Sequence, residues 1–120
     1  MAGTVLIVDD DPTIAEALRR VLPPEVELSS AVNADDAAAM LDANRYCGLV
    51  LDLVLADGSG FDVLHHMKSK DLLVPTVVIT EKLPSYVREM LDQDRVKLVL
   101  PKPVESRLLA SIVLGLCGMT

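Results

Sequence analysis

Five short apolar runs alternate with five stretches of helical period along a single chain of 120 residues. Val5–Val8, Val26–Leu28, Leu49–Leu51, Val77–Ile79 and Leu98–Leu100 read as strands. The first helical pattern places Ile14, Leu18, Val21 and Leu22 on one face, with Asp11 as cap and Pro12 at its first position. Asn33 caps a second, with Ala37, Met40 and Leu41 inward, and Phe61, Leu64 and Met67 mark a third. Pro84 precedes a fourth, carrying Val87, Met90 and Leu91; the last carries Leu108, Leu109, Ile112, Val113 and Leu116. Strand and helix in strict alternation build βαβ units, so one doubly wound α/β domain over residues 1–120 is expected, with a five-stranded parallel sheet. The runs at 5–8, 49–51 and 77–79 are apolar throughout, as strands covered on both faces should be. Glu25–Ser29 alternates and Lys97 opens the fifth run, which makes strands two and five the edges.

Composition narrows the function. Hydrophobic residues make up 51%, enough for one packed core, and Phe61, Tyr46 and Tyr86 are the aromatic residues. The net charge of -7 argues against direct contact with nucleic acid or an anionic membrane. The apolar stretch Leu108–Met119 is too short to span a bilayer, and the N-terminus carries no signal-peptide pattern. Cys47 and Cys117 lie far apart, so reduced thiols in a cytoplasm are expected rather than a disulfide or a zinc site. His65 and His66 are adjacent on a helix, do not share a face, and read as solvated.

In an open parallel sheet the site lies beyond the carboxyl ends of the strands. Asp9, Asp10 and Asp11 follow the first run, Asp52 the third, Thr80 the fourth and Lys102-Pro103 the fifth; Ser29-Ser30 follow the second. Crowded carboxylates favour a hard cation with oxygen ligands, and Mg²⁺ suits a site with few protein ligands. A carboxylate can also act as a nucleophile toward phosphorus, while a lysine and a metal supply the positive charge that phosphoryl transfer needs.

Val5–Pro12, Leu49–Asp52 with Asp57-Gly58-Ser59-Gly60, Val77–Thr80 and Lys102-Pro103 together resemble the receiver domains of bacterial response regulators. The resemblance covers essentially the whole chain and implies a flavodoxin-like (βα)5 fold with strand order 2-1-3-4-5. It implies that Asp52 is the phosphoacceptor and that Asp10 binds Mg²⁺ (or Mn²⁺) directly, with Asp9 acting mainly through metal-bound water. The carbonyl of Val54 would complete the protein ligands, Lys102 would contact the phosphoryl oxygens beside a cis peptide to Pro103, and Thr80 would move toward the phosphoryl group as a switch. Such a domain catalyses its own phosphorylation from a sensor histidine kinase or phosphotransfer protein, and its own dephosphorylation. It then controls an output domain or downstream protein.

Several positions depart from the family pattern. Glu81 stands where a small residue is usual and adds bulk and negative charge at the site, which predicts slow phosphorylation or hydrolysis, with Lys82 placed to pair with it. Val99 replaces the customary aromatic switch, Ala56 replaces a proline, and Asp92–Arg95 lacks the customary glycine, which predicts an unusual loop. Leu114 and Leu116 leave room for a partner or homodimer face on the last helix. Two other readings stay open: a receiver-like interaction module that takes no phosphate, and a haloacid dehalogenase-like phosphatase using Asp9 in the pattern Asp9-x-Asp11-x-Thr13. A dinucleotide site is disfavoured, since the turn after the first strand is acidic rather than glycine-rich.

Overall fold

The computed structural model describes residues 3–55, 58–81, 91–92 and 94–118. Five strands, β1 (Gly3–Val8), β2 (Val26–Ala31), β3 (Gly48–Asp52), β4 (Thr76–Thr80) and β5 (Val96–Pro101), form one sheet in the order β2-β1-β3-β4-β5. Every neighbouring pair is parallel. The described helices are α1 (Thr13–Val21), α2 (Ala34–Ala43), α3 (Gly60–Ser69) and α4 (Ser106–Leu116). Strands two and five are the edges, as their polar residues predict. The helical pattern expected around Val87 and Met90 lies outside the described residues, as do Ala56, Asp57, Lys82 and Pro84.

Alternation along the strands divides the core into two layers. Leu6, Val8, Leu49, Leu51 and Val78 face Ala37, Leu41, Val63, Leu64 and Met67 of α2 and α3. Val5, Ile7, Val50, Val77 and Ile79 face Ala15, Leu18, Leu109 and Val113 of α1 and α4. Both faces of the central strands are therefore covered, which is why they read as unbroken apolar runs.

The local readings need correction at several points. β2 continues through Ser29 and Ser30, because the ladder to β1 runs on to Val8↔Ala31. α1 begins at Thr13, one residue later than expected: Pro12 takes the cap position, and Asp11 Oδ1 accepts from Thr13 N at 3.0 Å and Thr13 Oγ1 at 2.6 Å. Asn33 does cap α2, its side chain accepting from Asp36 N at 2.8 Å. On α4, Leu108 is 51% exposed, while Leu114 and Leu116 pack against the core. His66 is half-buried and reaches Asp42 Oδ1 on α2 at 2.8 Å, so only His65 is the solvated member of that pair.

The cysteines overturn the expectation of free thiols: Cys47 and Cys117 are joined, with a Cα–Cα distance of 4.7 Å. Sequence distance misleads here. The packing of α4 on β3 brings residues 70 positions apart side by side.

Arg95 explains the loop that lacks a glycine. It is 4% exposed, and its guanidinium donates to Leu72 O (2.7 Å), Asp92 Oδ2 (2.7 Å) and Met67 O (3.3 Å). A planar fork of donors thus satisfies carbonyls at the end of α3 and locks that end to the approach into β5.

Candidate functional site

The carboxyl ends of the strands converge on a cleft of about 350 Å³ lined by Asp10, Asp11, Asp52, Val54, Glu81 and Lys102. Asp9 and Asp52 are 5% and 4% exposed, Thr80 is 1% exposed, and Asp10 is exposed. Each is placed by its strand. Asp9 N extends the β1–β2 ladder by donating to Ala31 O at 3.1 Å. Asp52 is the last residue of β3 and pairs in register with Ile79, one residue before Thr80. Lys102 N donates to Thr80 O at 2.8 Å, tying the end of β5 to the end of β4. The Lys102–Pro103 peptide is cis, as the family resemblance implies.

Lys102 Nζ donates to Asp52 Oδ2 at 2.9 Å and to Asp9 Oδ2 at 3.1 Å. The other oxygens are held by backbone: Val54 N donates to Asp52 Oδ1 and Asp11 N to Asp9 Oδ1. Burial raises the Asp9 carboxyl above its ordinary 3.8, against the hydrogen bonds from Asp11 and Lys102, and the neighbouring Asp52 charge adds to the rise. Burial alone would lower the Lys102 ammonium, but its hydrogen bonds to Asp52 and Asp9 outweigh this and raise it above 10.5. One ammonium thus serves two buried carboxylates, with a third beside them. Carboxylate oxygens of Asp9, Asp10 and Asp52 lie within 4.8 Å of one another. Hard oxygen donors at that spacing fit a divalent cation, and they are the group of this kind among the described residues.

The loop after β3 fixes Asp52 from the other side. Gly60 N and Ser59 Oγ both donate to Leu53 O, at 3.0 and 3.3 Å, and Val54 bridges to Ser59. A side chain at Gly60 would come within 2.8 Å of Leu53 Cα, so only glycine allows α3 to start against the backbone that carries Asp52. Ser59 and Asp62 complete a reciprocal cap on α3. The sequence shows Gly60 only as part of the Asp57-Gly58-Ser59-Gly60 segment, and the close approach that requires a glycine there is visible only in the fold.

The family model for the response regulator receiver domain matches residues 5–114. The chain belongs to that family. Among curated relatives, "Probable transcriptional regulatory protein TcrX" of Mycobacterium tuberculosis is 38% identical over 80 residues, covering 66% of this chain and 34% of its own length. A response regulator receiver protein of Anaeromyxobacter is 30% identical over 100 residues, covering 82% of this chain and 42% of its own. This receiver domain therefore spans less than half the length of either relative. A solved receiver domain protein (CheY-like) from Methanospirillum hungatei superposes with a TM-score of 0.82 at 23% identity, covering 99% of this chain and 97% of that one. That likeness bears on the fold, which is the flavodoxin-like order expected. As a receiver, the domain acts in two-component signal transduction. Among the described residues, no helix is long and apolar enough to cross a membrane.

Proposed function

We propose that Asp52 is the phosphoacceptor of this receiver, taking a phosphoryl group from a histidine kinase or phosphotransfer protein. An Asp52 oxygen attacks phosphorus, the phosphorus–nitrogen bond of phosphohistidine breaks, and the imidazole leaves with a proton. The observation that carries this reading is the Lys102–Asp52 contact of 2.9 Å within a cluster of three carboxylates. Asp52 loses its carboxylate charge on becoming an acyl phosphate. Lys102 then turns from a carboxylate partner into a phosphoryl partner with little displacement.

Asp9, Asp10 and Asp52, with the Val54 carbonyl, would hold Mg²⁺ or Mn²⁺. That ion would offset carboxylate repulsion and the charge of the incoming phosphoryl group. Thr80 is the hydroxyl-bearing residue whose movement toward the phosphoryl group carries the switch, and the contact of Lys102 N with its carbonyl couples β5 to that movement. Val99, half-buried on β5, replaces an aromatic ring and leaves coupling to other groups. Glu81 lines the cleft and restricts access to Asp52. The domain works in the cytoplasm and passes its state to an output domain or downstream protein, consistent with a relative named as a transcriptional regulator.

Beryllofluoride, a non-covalent phosphoryl mimic, tests the reading. It should raise the melting temperature only with Mg²⁺ present and only while Asp52 is intact. A receiver-like module that takes no phosphate would show no such dependence.

A further inference from the structure

The disulfide stands away from everything the phosphoryl chemistry uses. Cys47 directly precedes β3, and its backbone N donates to Thr4 O at 2.9 Å. Asp52 closes the same strand, so Cys47 and the phosphoacceptor are separated by the strand's length, roughly 17 Å at 3.3 Å per residue. Cys117 caps the end of α4, its N donating to Val113 O at 3.1 Å. Both cysteines are half-buried and pack against the α1/α4 layer of the core.

The helix end held by this bond is weak on its own. Gly115 sits within the last turn with open space where a side chain would be, while Gly118, at φ 70°, only closes the helix in the left-handed position usual after a C-cap. Glycine inside a helix gives up more backbone freedom than any other residue and packs nothing in return. Gly48 brings the two elements together: a Cβ there would lie 3.5 Å from Cys117 Sγ and 3.5 Å from Leu116 Cβ, so strand and helix end are already in contact. A covalent link at this point fastens the part of α4 with the least intrinsic helical stability.

We infer that Cys47 and Cys117 are a reversible thiol–disulfide modification site, a clasp whose redox state sets the order of the last turn of α4. Closing it is a two-electron oxidation. One cysteine thiolate attacks a sulfur of an oxidised disulfide, such as oxidised glutathione, and expels one thiol. The second cysteine displaces the other, leaving the intramolecular disulfide and two reduced thiols. Opening is the reverse, with a thiol or dithiol reductant taking the disulfide bond. Half-burial leaves the sulfurs within reach of such small thiols. In a compartment that keeps thiols reduced, a convergent pair like this senses oxidation rather than serving as a permanent staple.

The test uses the whole chain equilibrated in glutathione buffers from fully reduced to fully oxidised, quenched by alkylation under denaturing conditions and weighed intact. Two alkyl groups are expected at the reducing end and none, with no glutathione attached, at the oxidising end. Hydrogen exchange on the same samples should show the amides of Leu116 and Cys117 exchanging about tenfold faster when reduced, while β1 and β3 stay unchanged. The Cys47→Ser/Cys117→Ser variant should exchange like the reduced protein in both buffers. A bond that never forms, one that stays closed in excess reduced glutathione, or equal exchange in both states would overturn the inference.

Discussion

Lys102 Nζ lies 2.9 Å from Asp52 Oδ2, and it joins a residue that ends β3 to one that follows β5 across the width of β4. The same ammonium reaches Asp9 at 3.1 Å, so a single cation is shared between two carboxylates that are nearly sealed from water.

Lys102→Ala should therefore cost stability as well as phosphoryl uptake. It leaves Asp9 and Asp52 facing each other without a counter-charge, and a loss of about 1.5–3 kcal/mol is expected from hydrogen bonds to charged groups. Urea unfolding with and without Mg²⁺ measures it. The added ion should offset the loss, contributing about 2.7 kcal/mol if free Mg²⁺ is about a hundredfold above its Kd.

Gly60→Ala tests how closely α3 supports the site. The added methyl would meet Leu53 Cα at 2.8 Å, which forces the start of α3 and the backbone after Asp52 apart. Destabilisation of about 1–3 kcal/mol is expected, together with slower phosphorylation. Gly115→Ala, where a side chain has open space, should be neutral or stabilising in the same denaturation assay.

Glu81→Ala should speed exchange at the site. Glu81 lines the cleft beside Asp52, where its charge opposes an incoming phosphodonor. Removing it should raise the rate of uptake from acetyl phosphate about fivefold, the equivalent of about 1 kcal/mol between charges about 4 Å apart in water. Unchanged rates for uptake and hydrolysis would remove Glu81 from the account of access.

Acid sensitivity should be traceable to the Arg95 loop. Burial alone would raise the Asp92 carboxyl, but the hydrogen bond and charge of Arg95 hold it below its ordinary 3.8. A depressed folded-state value means that Asp92 contributes stability above 3.8 and loses that contribution as pH falls through the lower folded value. Asp92→Asn should thus be less stable than the parent near neutral pH, with the gap closing in acid. Urea unfolding of both proteins across that range follows it. Arg95→Ala, which strips donors from the Met67 and Leu72 carbonyls, should cost more, about 2–4 kcal/mol.

Much of this is legible in the amino-acid sequence, for identifiable reasons. Apolar runs such as Leu49–Leu51 and Val77–Ile79 mark strands covered on both faces, and order along a parallel sheet puts Asp9, Asp52, Thr80 and Lys102 at one end. What escaped depends on contacts between distant positions. Nothing near Cys47 announces Cys117, and Arg95 looks like a loop charge until Met67, Leu72 and Asp92 surround it. His66 reads as surface until α2 supplies Asp42. Ser29 and Ser30 look like a turn because their polarity marks an edge strand as readily as a loop.

The most direct test is intact mass after incubation with acetyl phosphate and Mg²⁺, run beside a metal-free sample and the Asp52→Asn and Asp9→Asn variants. One added phosphoryl group is expected on the parent protein, absent without metal and absent in Asp52→Asn. An adduct that survives Asp52→Asn and disappears with Asp9→Asn would contradict it and favour Asp9 as the nucleophile. No adduct under any condition would contradict it in favour of an interaction module that takes no phosphate.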